Sequence, residues 1–166
     1  MTHLEGHFKA IYKENHPKVY RMCLGYASGD QMLAGDFCQE VFIKVWEHLP
    51  SFRNDASIST WIYRITVNTC LVSLRQKRSI PVSKVMGTLE IQNPEHEFQE
   101  KEKKFQTLYQ CIDQLSKDNK SIILLELEGI PQKEIASIMG ISHEATRIRI
   151  HRIKNELTKC VQNDNI

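Results

Sequence analysis

The stretch that most restricts how this chain can fold is 131–160, PQKEIASIMGISHEATRIRIHRIKNELTKC. Ile135, Ile138 and Met139 follow the i, i+3, i+4 spacing that gathers apolar side chains on one face of a helix. Gly140 comes next, and glycine takes the left-handed conformation of a C-cap without a Cβ penalty. Ser142 stands where its hydroxyl can accept a backbone N–H from the first turn of a second helix. That helix runs from about 143 to 160. At about 3.6 residues per turn, Thr146, Ile150, Ile153, Leu157 and Cys160 share its inner face. The other side carries His143, Glu144, Arg147, Ile148, His151, Arg152, Lys154 and Asn155. A short helix, a tight turn and a longer basic helix make a helix–turn–helix, whose second helix enters the major groove with its N-terminal half toward base edges. Arginine suits guanine O6 and N7 there, and Ile148 is placed for a thymine methyl. Any surface helix has a charged side, but here Arg147, Arg149, Arg152, Lys154 and Lys159 outnumber Glu144 and Glu156. The basic excess and the Gly–Ser joint favour a DNA-reading helix over a merely solvated one.

The remaining chain is short enough to limit the options. Its 166 residues allow one ordinary domain or two small helical ones. Apolar residues are 41% and charged residues 25%, as in soluble globular proteins. The net charge of +2 is modest, but basic residues gather at 75–78 and 147–159 while 90–102 is acid-rich. No apolar run reaches about 18 residues, so no membrane insertion is expected. The N-terminus lacks the apolar core of a signal peptide. Cys23, Cys38, Cys70, Cys111 and Cys160 are scattered and contain no CxxC pair. They read as reduced core thiols of a cytoplasmic protein, with a redox-sensing thiol as the minor alternative. His3 and His7 have metal-ligand spacing on a helix but no third ligand nearby, so no metal is assigned. No phosphate loop, dinucleotide fingerprint, zinc-protease motif or nucleophile elbow is present, and neither an enzyme activity nor a cofactor is expected.

Read in order, 4–15 and 17–27 form two helical runs, with Pro17 at the first turn of the second. Ser28, Gly29 and Asp30 break the chain, and an amphipathic helix follows to about His48. Within it, Phe37, Val41, Phe42 and Val45 make a core face, while Asp36, Gln39, Glu40 and Lys44 stay polar. Trp46 fits a protein-contact surface and a core position equally well. Residues 49–57, LPSFRNDAS, form a polar loop. The helix from Ile58 to about Arg78 is nearly apolar, yet Thr60, Arg64, Asn68, Arg75 and Arg78 line up on one side. Such a stripe suits phosphates and exposed bases, and a basic helix end equally suits the helix dipole. Residues 79–100 read as a flexible linker. A second helical unit starts at 95–97, ends its first helix near Leu115, and continues through a Ser116-capped helix to Gly129.

Two helical units with distinct signals, in this order and at this separation, resemble the extracytoplasmic-function (ECF) group of bacterial RNA polymerase sigma factors, from Phe8 to about Val161. DFCQEVFIKVW at 36–46 resembles the segment that docks on the clamp coiled coil of the polymerase's largest subunit. Residues 49–78 resemble the promoter-melting and minus-10-reading segment, through Phe52, Arg53, Thr60, Trp61, Tyr63, Arg64, Ile65, Asn68, Leu74 and Arg75. Residues 115–154 resemble the minus-35-binding domain. The chain departs from the family's common pattern at Val72, Pro131, Glu144 and Ala145. These departures bear on promoter preference and not on class.

The resemblance implies an all-α fold of two small helical domains joined by a flexible linker: a region 2 type at 1–80, the linker at 81–100, and a region 4 helix–turn–helix type at 101–166. It implies that Asp36, Gln39, Glu40, Val41, Phe42 and Trp46 bind core polymerase, with the flap region as a further contact. Phe52, Arg53, Asn54, Asp55, Trp61, Arg64, Asn68, Arg75 and Arg78 would meet the minus-10 DNA. His143, Glu144, Arg147, Ile148, Arg149, His151, Arg152 and Lys154 would meet the minus-35 duplex. An anti-sigma protein, often membrane-anchored, is the further partner implied. A simple dimeric DNA-binding regulator and a helical adaptor are the rival readings. The aromatic helix at 36–46 argues against the first, and the basic recognition face argues against the second.

Overall fold

The structure is a computed structural model that describes residues 2–78 and 96–163, without the side chains of Arg78 and 96–98. Most of the expected linker, and the side chain of Arg78, therefore lie outside the described residues. Seven α-helices and one 3-10 turn make up the regular structure there: α1 (His3–Tyr26), α2 (Gln31–His48), the turn Leu49–Ser51, α3 (Ile58–Arg78), α4 (His96–Asp113), α5 (Lys117–Leu127), α6 (Gln132–Met139) and α7 (His143–Asn163).

The N-terminal region corrects one expectation, since the two runs about Pro17 form one helix. A capping box starts it: the Glu5 N–H donates to Thr2 Oγ1 at 3.2 Å, and the Thr2 N–H donates to Glu5 Oε2 at 2.7 Å. A proline inside a helix withholds a donor from the carbonyl four residues back and crowds it. Here both Pro17 and Lys13 are exposed, on the side of the helix away from the core. The buried face meanwhile runs on unbroken through Ile11, Asn15, Val19, Met22, Cys23 and Tyr26. Continuous burial outweighs the local proline penalty.

α1, α2 and α3 close around Val19, Met22, Phe37, Val41, Val45 and Ile62, each at most 1% exposed. Each fully buried side chain of this kind contributes about 1.5–3 kcal/mol. α4 to α7 close around Ile112, Ile122, Ile123, Leu125, Ile135 and Ile153, again each at most 1% exposed. Asn15 ties α1 to itself and to α3: its amide donates to the Ile11 carbonyl at 2.9 Å and its Oδ1 accepts from Ser59 at 3.0 Å.

The cysteines divide. Cys23, Cys38 and Cys70 are buried free thiols, one on each of α1, α2 and α3. Cys111 and Cys160, expected as reduced thiols, are joined as a disulfide between α4 and α7. Their separation of 49 residues hides this in the sequence. It takes the crossing of α4 and α7 to bring the two Cα atoms to 5.9 Å, within bridging range.

Candidate nucleic-acid interface

The turn before α7 is built by its caps. Gly140 is left-handed at φ 70°, and the Ile141 N–H returns to the Ala136 carbonyl at 3.1 Å. Ser142 then accepts the Ala145 N–H on its hydroxyl at 3.1 Å. The inner positions Thr146, Ile150, Ile153 and Leu157 are buried against the second half's core. This rotation leaves His143, Glu144, Arg147, Ile148, Arg149, His151, Arg152 and Lys154 on the exposed side. Ile148 is 44% exposed, an apolar side chain amid charge with nothing to cover it. Lys154 differs from the other seven, because its ammonium sits 3.0 Å from Glu126 on α5.

The residues expected at the minus-10 element do not share one environment. Asn54 is left-handed at φ 59° in the loop after the 3-10 turn, and Arg53, Asn54 and Asp55 are exposed. Phe52 and Trp61 are half-buried, with ring centroids 4.9 Å apart. Ser57 begins α3 by accepting the Thr60 N–H at 3.1 Å. Along α3, Asn68 and Arg75 are exposed. Thr60 and Arg64 are engaged by α6. The Thr60 hydroxyl donates to Glu134 at 3.2 Å, and an Arg64 guanidinium N–H reaches the Ser137 hydroxyl at 3.3 Å and its carbonyl at 3.4 Å.

Four of the six residues expected on polymerase face a groove of about 660 Å³ between α1 and α2. Asp36, Gln39, Phe42 and Trp46 line it, and Trp46 is 38% exposed. Glu40 lies beside it, accepting from Ser73 at 3.2 Å and facing Lys44 at 3.5 Å. Val41 is 0% exposed, so it supports this face from the core and does not form part of the surface. The opposite wall was not anticipated: Phe8, Tyr12, His16 and Tyr20 stand on it. Phe8 meets Trp46 edge-on at 5.2 Å, and Tyr12 meets Phe42 at 4.6 Å. Four rings at every fourth position of one helix were a legible signal, because that spacing stacks side chains on one face.

Burial, more than neighbouring charge, governs the shifted tyrosines. It drives the Tyr26 phenol well above its ordinary range, with the hydrogen bond to Ser121 opposing. It raises Tyr63 too, against a lowering contribution from Ser59. Cys38 is held far up by its hydrogen bond with Cys23 and by burial, which keeps it a neutral thiol. Among the described residues no cluster of three or more His, Cys, Asp or Glu could hold a metal ion, and no helix is long and apolar enough to cross a membrane.

Comparison with known proteins bears on both halves. Residues 11–80 match the family model Sigma-70 region 2, and 105–157 match Sigma-70, region 4. The chain is 38% identical over 140 residues to the ECF RNA polymerase sigma-E factor of Escherichia coli K12, covering 76% of this chain and 73% of that protein. It is 32% identical over 146 residues to the RNA polymerase sigma-H factor of Pseudomonas aeruginosa, covering 80% and 75%. In fold it is similar to the sigma factor RpoE in complex with the anti-sigma factor NepR from Bartonella quintana, with a TM-score of 0.71, 18% identity and coverage of 93% and 96%. It is likewise similar to CnrH in complex with the cytosolic domain of CnrY, with a TM-score of 0.72, 18% identity and coverage of 95% and 88%. A basic, capped helix–turn–helix behind a three-helix unit of the region 2 type, together with these relatives, settles the family: this chain belongs to the ECF sigma factors of RNA polymerase.

Proposed function

We propose that the chain docks on core RNA polymerase through the α1–α2 groove, guides it to promoters with α7, and helps open the DNA with the loop at 52–57 and the polar side of α3. Asp36, Gln39, Phe42 and Trp46 make the polymerase contact on the clamp coiled coil, with Glu40 and Val41 positioning them. Region 4 meets the flap. Arg147, Ile148, His151 and Arg152 read the minus-35 duplex beside His143 and Glu144, while Arg149 and Lys154 serve phosphates. Phe52, Arg53, Asn54 and Asp55 capture an unstacked base of the minus-10 element, and Trp61, Arg64, Asn68, Arg75 and Arg78 brace its strand. A surface that binds only the single strand shifts the duplex toward the open state by its differential affinity. Units at 1–80 and 101–166, joined by a linker at 81–100, would divide these tasks. The chain would act in the cytoplasm as an initiation factor with no chemistry of its own. An anti-sigma protein would hold it inactive, as the anti-sigma factor NepR accompanies the sigma factor RpoE of similar fold.

What supports the reading is the pairing, on one chain, of an aromatic groove ringed by Phe8, Tyr12, Phe42 and Trp46 with a separate exposed basic helix face. Run-off transcription with purified core polymerase on a pool of promoter fragments tests it. The protein should create new specific starts, and Trp46→Ala should remove most of them by weakening core binding at least tenfold. A protein that held a specific duplex yet neither bound core nor changed any start would be a simple DNA-binding regulator instead.

A further inference from the structure

We propose that the Cys111–Cys160 bridge is a reversible modification site, opened by dithiol reductants and re-formed by hydroperoxides, whose state sets how firmly α4 is latched to the DNA-reading helix. The inference rests on the cytoplasmic role proposed above, because in a compartment that keeps thiols reduced a disulfide is usually transient or redox-sensing. The placement of the two sulfurs carries it. Cys160 is half-buried near the end of α7, within reach of a small reagent, whereas Cys111 on α4 is 2% exposed. One accessible sulfur beside one sheltered sulfur is the arrangement of an attacking and a resolving thiol. Cys23, Cys38 and Cys70 are each at most 2% exposed in the first half's core, so the same reagents pass them by. The bridge also holds where little else does. α4 is exposed from 99 through 106, and among its described side chains only Cys111 and Ile112 are buried. On α7, Leu157 is the last buried residue, and Cys160 and Val161 beyond it are half-buried. With the sulfurs parted, Ile112 and the half-buried Thr107, Leu108 and Tyr109 are what α4 has left to pack with.

The chemistry closes in both directions. The Cys160 thiolate attacks the outer oxygen of a hydroperoxide, the O–O bond breaks, and the sulfur becomes a sulfenic acid while an alcohol or water leaves with the proton. The Cys111 thiol then attacks that sulfur and gives up its proton, so the hydroxyl departs as water and the S–S bond forms. Two thiols are oxidised and one peroxide is reduced. In the reverse direction a thiolate of a dithiol attacks the Cys160 sulfur, and Cys111 leaves as a thiolate and takes a proton. The second thiol of the reductant closes its own disulfide and frees Cys160. The consequence for promoters comes from the position of α4, the helix through which the chain enters the second half. Its release would add 18 residues to the connection between the two DNA-reading units. A connection about twice as long lowers the effective concentration of the second site about threefold. The bridged form is therefore the better promoter binder.

The experiment reads the chemistry without polymerase and the consequence with it. The full chain is reduced under native conditions with dithiothreitol, alkylated with iodoacetamide, and mapped by mass spectrometry. Cys111 and Cys160 should both take the label, Cys160 first, while Cys23, Cys38 and Cys70 stay unlabelled. Hydrogen peroxide added before the alkylation should restore the bridge and protect both. A bridge that dithiothreitol opens only in urea, or that peroxide does not re-form, would overturn the modification site. Amide exchange then follows the latch: protection across α4 should fall at least tenfold on reduction, and protection in α1–α3 should not change. Run-off transcription with core polymerase compares the bridged and reduced proteins after each reagent has been removed, and the reduced form should need about threefold more protein for the same yield. Cys160→Ser, at a half-buried position, should sit at the reduced value and ignore peroxide. Equal yields from bridged and reduced protein would overturn the consequence for promoters and leave the thiol chemistry standing. Specific starts absent from both forms would count against the proposed initiation function and not against the bridge.

Discussion

The two helix faces expected to meet DNA are opposites in this fold. α7 presents its basic side to solvent from His143 to Lys154, whereas α3 has Thr60 and Arg64 under α6, with Asn68 and Arg75 exposed. The difference comes from what each face would lose on burial. Covering several unpaired arginines costs far more than their contacts return. Thr60 needs a single hydrogen bond to be buried without penalty, and Glu134 provides it. A face dense in unpaired charge stays open, while a face of small polar groups with one arginine can be covered by a helix that supplies their hydrogen bonds.

The largest effect that would sharpen this contrast lies in how each half is held together. The first half keeps Cys23 and Cys70 as thiols with sulfurs 3.8 Å apart, while the second half has the Cys111–Cys160 bridge. Closing a loop of 49 residues removes unfolded-state freedom equivalent to about 4 kcal/mol. Reduction should therefore lower the urea stability of α4–α7 by about that amount and leave α1–α3 nearly unchanged. Amide exchange with and without dithiothreitol resolves the halves, and Cys111→Ser gives the reduced value without reductant. An equal loss of protection in both halves would mean they unfold as one unit, and the contrast in their construction would carry no energetic meaning.

Next in size is the open face itself. Arg147→Ala should cost about 1–3 kcal/mol in binding of the polymerase complex to a promoter recovered by run-off, the value of one side chain reading a base edge. The loss should concentrate on one base pair of the minus-35 element, seen by repeating the measurement across single-base variants at fixed salt. A uniform loss on every sequence would place Arg147 on a phosphate and move base reading to Ile148 and Arg152.

How much of this was legible in the sequence follows the same division. Gly140 and Ser142 act on residues adjacent to them, so the turn and the rotation of α7 could be read directly, and both are as expected. The three helices of the first unit were legible in their apolar spacing, except at Pro17. There a local rule gave a break that packing of Val19, Met22 and Tyr26 overrides. The far wall of the groove went unread because ring spacing along α1 marks a helix face and not what that face meets, and only α2 shows that the rings of Phe8 and Tyr12 face an opening. The Cys111–Cys160 bridge, the Lys154–Glu126 pair and the Thr60–Glu134 bond join residues 28 to 74 positions apart. No periodicity encodes such a pairing, because it depends on how finished helices cross.

The smallest effect tests whether the open face is as free as it looks. Lys154 is the one residue of the expected set on α7 that holds an ion pair, its ammonium 3.0 Å from Glu126, with side-chain exposures of 55% and 17%. An exposed pair of this kind contributes only about 0–1 kcal/mol, so Glu126→Gln should barely change stability. Its effect on DNA should run the other way from most substitutions. With the carboxylate neutralised, Lys154 is released toward phosphate and a nearby negative charge disappears, so the complex should bind duplex more tightly. The dependence of log K on log salt should steepen by about 0.9, the increment for one added phosphate contact. Lys154→Gln separates the two contributions. If the lysine is the new contact, adding this change to Glu126→Gln should return the slope to its original value. A slope unchanged by Glu126→Gln would mean that Lys154 already shares its charge between carboxylate and phosphate, and the open face would run through Lys154 in spite of its ion pair.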